Sequence, residues 1–165
     1  MNANTKEAVR AEIKRFFRQL NTMFGVFLTG VFLFLVSVQV VVYFQGALDP
    51  TYTQFLYFGA PISGVALIVI AQRLAEGRFK GGRGALKLHE KMDAYRSGSV
   101  LRMIVLDGAA FLQLIAYVFT DDKLFLLLAL AVVTVFFMSK PGLERFMRDM
   151  DLNEVERKVM RDHGY

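Results

Sequence analysis

The sequence predicts an all-α integral membrane protein: four transmembrane helices arranged as two hairpins, with amphipathic cytoplasmic helices at the N-terminus, in the central loop and at the C-terminus. Three observations predict it: where the apolar residues gather, where the basic residues fall, and how the polar segments repeat. Hydrophobic residues are 55% of the chain, and they concentrate in four runs at 21–44, 55–74, 100–120 and 124–139. A bilayer core of about 30 Å needs roughly 20 helical residues, and the first three runs supply them outright. The fourth, LFLLLALAVVTVFFMS, reaches that length when Lys123 and Lys140 extend outward from its ends. Runs this long without an internal polar face argue against a soluble helical bundle. The first run is too long for the apolar part of a signal peptide, and a charged segment precedes it, so it reads as a retained helix.

Charge placement sets the orientation. Lys6, Arg10, Lys14, Arg15 and Arg18 precede the first run; eight Lys and Arg residues from Arg73 to Arg102 lie at or between the second and third; six follow the fourth. Only Lys123 falls on the opposite side, where the loops QGALDPTYT and DD carry acids. By the positive-inside rule both termini and the central loop are cytoplasmic. The net charge of +5 then implies contact with anionic lipid headgroups, with Arg78, Lys80, Arg83 and Lys87 as the candidate residues. It does not imply nucleic acid: GGRG at 81–84 is too short for an arginine–glycine RNA-binding tract.

Each element follows from its periodicity. Residues 1–20 repeat Val9, Ile13, Phe16, Phe17 and Leu20 against a basic face, the pattern of an interfacial helix. TM1 follows at 21–44 and TM2 at 55–74, with Pro61 expected to kink TM2 and Ser63 to help satisfy the freed carbonyl. In the basic segment 75–99, Gly81, Gly82 and Gly84 are expected to break the chain. From Ala85 the stripe Leu88, Met92, Tyr95 leads straight into TM3 at 100–120. TM4 spans 123–139, and the tail 140–165 opens with Pro141, suited to the first turn of a new helix. Asp151 with Glu154, or Asn153 with Glu156, can cap a last helix ending near Gly164. The whole is one membrane domain whose halves share a hairpin order, without residue identity enough to claim a duplication.

Helix packing in lipid depends on close backbone approach, because lipid is as apolar as leucine. Small residues at four-residue spacing mark the expected contact faces: Gly25 with Thr29, Gly59 with Ser63, Ala60 with Gly64, and the thin stretch Gly108, Ala109, Ala110.

Little in the chain points to catalysis. There is no cysteine, so thiolate chemistry and cysteine metal sites are excluded, and His89 and His163 have no partner at metal-ligand spacing. GRFKGGRG lacks the Lys-Ser/Thr ending of a phosphate loop and follows no strand. No cofactor is expected. Charges inside a membrane helix are functional candidates by default. Asp107 lies about 12 Å beyond Ser99 at 1.5 Å per residue, whereas Arg102 is about one turn in and is expected to snorkel to the cytoplasmic surface. Five residues separate them by about 140° of rotation, so they do not share a face. Asp107 is expected to meet Arg73 or Gln72 across the helix interface, as an anchor fixing rotation and register. The alternative makes it a titrating site for a proton or cation.

The segment EKMDAYRSGSVLRMIVLDGAAFLQLIAYVFT, followed by SKPGLERFMRDMDLNEVE, resembles a group of small four-helix bacterial inner-membrane proteins. Lys91, Tyr95–Arg96, Arg102, Asp107–Gly108–Ala109, Pro141 and Asp151–Leu152 carry the resemblance, which covers the C-terminal half only. The acidic position is usually Glu in that group, so Asp107 is a shortened version. The resemblance implies a multi-pass protein of the bacterial inner membrane and implies no activity. LDGAAFLQLIAYVF is also similar to the ion-carrying helix of rotary ATPase proteolipids, but Asp107 sits on the first helix of its hairpin rather than the second. The expected role is a structural or accessory subunit that self-associates or docks on a larger membrane complex. The alternative is a small ion- or proton-coupled transporter using Asp107.

Overall fold

The structure is a computed structural model that describes residues 3–46, 53–85 and 87–163. The expected first outer loop with Asp49, and the helix end at Gly164, lie outside the described residues, as do the side chains of Lys6, Val9 and His163. All regular structure among the described residues is helical: α1 (Ala3–Gln45), α2 (Thr53–Arg83), α3 (Leu88–Thr120), α4 (Lys123–Met138), α5 (Leu143–Asp149) and α6 (Glu154–His163). Three of these are long and apolar enough to cross a membrane, or four if α4 and α5, bent by 81° at their junction, count as one broken span.

The long helices run past the boundaries the sequence suggested. α1 is one helix of 43 residues with no break near residue 20. Its buried positions Ile13, Phe16, Leu20, Phe24, Val31, Val38 and Val42 form a single seam at spacings of three, four and seven, so nothing divides the expected interfacial helix from TM1. At 1.5 Å per residue α1 is about 65 Å long, roughly twice the bilayer core. α2 likewise passes through Pro61 and through Gly81 and Gly82; the chain turns only at Gly84 and Ala85. The expected break at Gly82 fails because this glycine is a packing residue: a Cβ there would collide with the Cβ of Ala94 on α3. Ser63 donates to the Gly59 carbonyl at 2.6 Å, one turn back, and not to the Tyr57 carbonyl that Pro61 leaves free.

α3 is the helix the others share, packing against α2 most extensively and also against α1 and α4; α1 and α2, expected to form a hairpin, have almost no backbone contact. Two levels result. At the apolar level, Val31, Val38, Ala60, Ala109, Ala110, Leu114, Phe125, Ala129 and Val132 make one core. Residues such as Val26, Leu33, Val36, Val65, Ile62 and Leu127 turn outward, as a lipid-facing surface requires. At the basic level a second core joins Ile13, Phe16 and Leu20 of α1, Ala75 and Phe79 of α2, Met92 and Tyr95 of α3, Phe146 of α5 and Met160 of α6. Tyr95 is fully buried at its centre, stacked on Phe79 at 5.4 Å and edge-on to Phe146 at 5.1 Å. Between the levels lie Phe24, Ala71, Met103, Leu106 and Phe136.

Short connections carry their own chemistry. Asp121 ends α3 in the left-handed region (φ 52°), its N–H donating to Tyr117 O at 2.8 Å, and Asp122 caps α4 by accepting from the Leu124 N–H at 2.8 Å. Pro141 does not start α5; it is buried in the bend, and Gly142 in extended conformation precedes the first helical residue. Of the two caps open for the last helix, the structure takes Asn153 with Glu156, each side chain accepting from the other's backbone N–H at 2.8–2.9 Å.

Tyr57 in the first turns of α2 donates its hydroxyl to Asp122. That bond, and then the Leu124 N–H, hold the Asp122 carboxyl below the usual carboxylate range. A depressed folded-state pKa adds stability above the unfolded value, about pH 3.9, and loses it as pH falls through the folded value. Tyr57→Phe is therefore expected to lower the melting temperature slightly at pH 7 and to converge on the parent protein once the pH falls below the folded-state value. A constant offset across that range would show that the carboxylate is not the acceptor that matters.

Candidate functional site

Which way each candidate on α3 faces follows from the register of the helix pairs. Gly98, Arg102, Leu106, Ala109 and Gln113 recur at spacings of four and three. Contacts to Phe79, Ala75, Ala71 and Ala60 place this row against α2. Gln113 is buried and donates to the Ala60 carbonyl at 2.6 Å, and Gly64 leaves the room it occupies, since a Cβ there would strike the Gln113 amide.

Asp107 is not on that row. It stands one turn before Phe111, which packs on Phe34 of α1 at 4.7 Å between ring centres, so it is level with Gly30 of α1. The expected pairing with Arg73 or Gln72 is not made: both are exposed on α2, and Asp107 lies round the helix on another side. Asp107 is half-buried, and its Oδ1 is buried without a hydrogen-bond partner in the chain. Of the expected packing residues, Ala60, Gly64 and Ala109 are interior. Gly59 meets only its own Phe55 ring at 3.5 Å, Thr29 is exposed, and Gly25 and Gly108 have nothing within 4 Å of where a Cβ would stand.

Arg102 corrects the expectation of a snorkelling side chain. It is 5% exposed, its Nη2 donates to the Ser139 carbonyl at 3.0 Å, and its guanidinium carbon lies 5.9 Å from the centre of the Phe79 ring. The reason is the end of α4, whose last carbonyls have no partner in their own helix and form the negative pole of its dipole. Arg145 serves the same terminus, donating to the Met138 carbonyl at 2.6 Å and the Lys140 carbonyl at 3.4 Å. Arg83 reaches the Asp149 carbonyl at the end of α5, at 2.8 Å. These guanidiniums and Arg148 converge on a cavity of about 290 Å³, completed by Gln72, Glu76, Phe79 and Asp149.

Of the four residues expected to meet headgroups, only Arg83 lines that cavity. Arg78 borders a different hollow beside Glu90, Lys80 pairs with Glu76 at 3.2 Å, and Lys87 is exposed before α3. The sequence reading passed over Arg145 and Arg148 as a basic tail. The available signal was their position just after the apolar run ending at Ser139, where free helix carbonyls attract guanidiniums. Lys91, which the sequence marks only through the resemblance, has a buried ammonium that meets Glu156 of α6 at 2.8 Å. Among the described residues no three His, Asp or Glu side chains group as a metal site.

No family model, curated protein or solved structure matches this chain.

Proposed function

We propose that this chain is a non-enzymatic, multi-pass protein of the bacterial inner membrane, with both termini cytoplasmic, acting as a structural or accessory subunit that self-associates or docks on a membrane complex. One observation carries the reading. Packing within the chain consumes the small residues of the α2–α3 seam, whereas Gly25 and Gly30 on α1 and Gly108 on α3 have no neighbour within 4 Å of a Cβ position. Close approach of a further helix is what small residues in lipid-facing helices serve. The basic level, with a core of its own, supports a role as a rigid cytoplasmic extension of the spans.

Mass measurement of the detergent-solubilised protein tests this, with Gly25→Leu, Gly30→Leu and Gly108→Leu as variants. An oligomer that at least one of these changes reduces to monomer is expected; a parent protein that is cleanly monomeric defeats the self-association reading. The unpartnered Oδ1 of Asp107 favours a second reading, a proton or cation site in a small transporter. Flux into liposomes that disappears in Asp107→Asn would replace the accessory reading with this one.

A further inference from the structure

We propose that the cavity between α2, α3 and α5 binds a phosphate group, carried either by the headgroup of an anionic phospholipid or by a free phosphate-bearing solute. The proposal stands independently of self-association.

The lining holds four guanidiniums, those of Arg83, Arg102, Arg145 and Arg148, against two carboxylates, Glu76 and Asp149. Neither carboxylate pairs with Arg102. Glu76 is shared with Lys80 at 3.2 Å, and Asp149 meets Arg148 at 3.4 Å. Arg102 is thus a buried cation whose one hydrogen bond goes to a neutral carbonyl, and its Nε is buried with no partner. A charge in that state is costly unless an anion completes it. The other three arginines also spend only part of their donors. A guanidinium offers five N–H groups, and Arg83 commits its Nε to a carbonyl while Arg145 commits one terminal nitrogen to two.

Phosphate fits this donor set better than a single carboxylate or halide. Its several oxygens can take paired N–H bonds from more than one guanidinium, the geometry in which arginine surpasses lysine. Depth agrees. Arg102 lies eighteen residues from Thr120 along α3, about 27 Å, close to the thickness of a bilayer core. With Thr120 at the outer boundary, Arg102 is at the level of the opposite headgroups, where the apolar seam gives way to the basic bundle.

The test uses the full chain purified in neutral detergent. Binding is measured by thermal shift and by native mass spectrometry. The probes are sodium phosphate against sodium chloride at equal ionic strength, and short-chain phosphatidylglycerol against phosphatidylcholine. Arg148→Gln is the main variant, because Arg148 is an exposed side chain whose loss leaves the core intact. Lys123→Gln is the comparator, removing the same charge from an exposed side chain at the start of α4, away from the cavity. Saturable binding of phosphate, phosphatidylglycerol or both is expected. It should weaken about tenfold in Arg148→Gln, the loss of one charge-assisted contact, and stay within about twofold in Lys123→Gln. Response to inorganic phosphate identifies a solute site, and response to phosphatidylglycerol alone identifies a lipid site. Absence of saturable binding to every probe overturns the proposal, as does equal weakening by Arg148→Gln and Lys123→Gln.

Discussion

Lys91→Met is expected to cost about 3–5 kcal/mol of stability, and adding Glu156→Gln to the same chain is expected to return most of it. The two side chains are 7% and 12% exposed and meet at 2.8 Å, so water can rescue neither once its partner is gone. Removing the ammonium leaves a largely enclosed carboxylate that keeps only the Asn153 N–H as its partner. Glutamine at 156 removes that stranded charge and can still reach back to the Asn153 N–H, so the cap of α6 survives. The pair also ties α6 to α3 across a long sequence separation, so Lys91→Met should release α6 before the apolar level loosens. Unfolding of the two single variants and the double variant, followed by hydrogen exchange in residues 154–163, measures both effects. Additive losses in the double variant would show the ion pair to be energetically idle.

The same substitution at two glycines of α3 is expected to have opposite signs. A Cβ on Gly98 would stand 2.5 Å from Cε1 of Phe79 and 3.1 Å from the Ala75 carbonyl oxygen; a Cβ on Gly108 meets nothing within 4 Å. Gly→Ala in a helix interior gains about 1 kcal/mol of propensity. Overpacking costs about 1–3 kcal/mol, more when the struck atoms cannot move, and a helix carbonyl cannot. Gly98→Ala should therefore lose about 1–2 kcal/mol net, and Gly108→Ala should gain up to about 1 kcal/mol in the monomer. Gly98→Leu should separate α2 from α3 and abolish folding. Stabilities of the two alanine variants in one detergent decide the matter, and equal values would remove the seam as an explanation.

The residues that carry the family resemblance divide in the structure. Tyr95, Arg102, Ala109, Pro141 and Leu152 are buried, and Lys91 is half of an interior ion pair, so most of the pattern is framework. Asp107, like Gln113 with its Oε1, keeps an unpartnered oxygen within the apolar run of α3. Its side of the helix was legible in part. Helical geometry showed that it does not share a face with Arg102, but could not say which neighbour it meets. That required the α1–α3 register set by Phe34 and Phe111. The glycines were harder still. Gly64 and Ala60 both face Gln113, yet by the same spacing rule Gly59 and Gly25 look equal to them, and Gly98 escapes that rule because its counterpart is a phenyl ring on another helix.

The amino-acid sequence by itself determined that there are apolar helices long enough to span a bilayer, that the basic residues gather at one end of them, and that two capping pairs were open to the last helix. Hydropathy, length and local capping are properties of neighbouring residues, and they add along the chain. Only the packing of α3 against three other helices decided that α1 and α2 do not form a pair, that Arg102 is enclosed, and that four arginines from three helices share a cavity. Those outcomes depend on contacts between residues tens of positions apart, where a rotation of 100° per residue carries one side chain into a seam and its neighbour out of it.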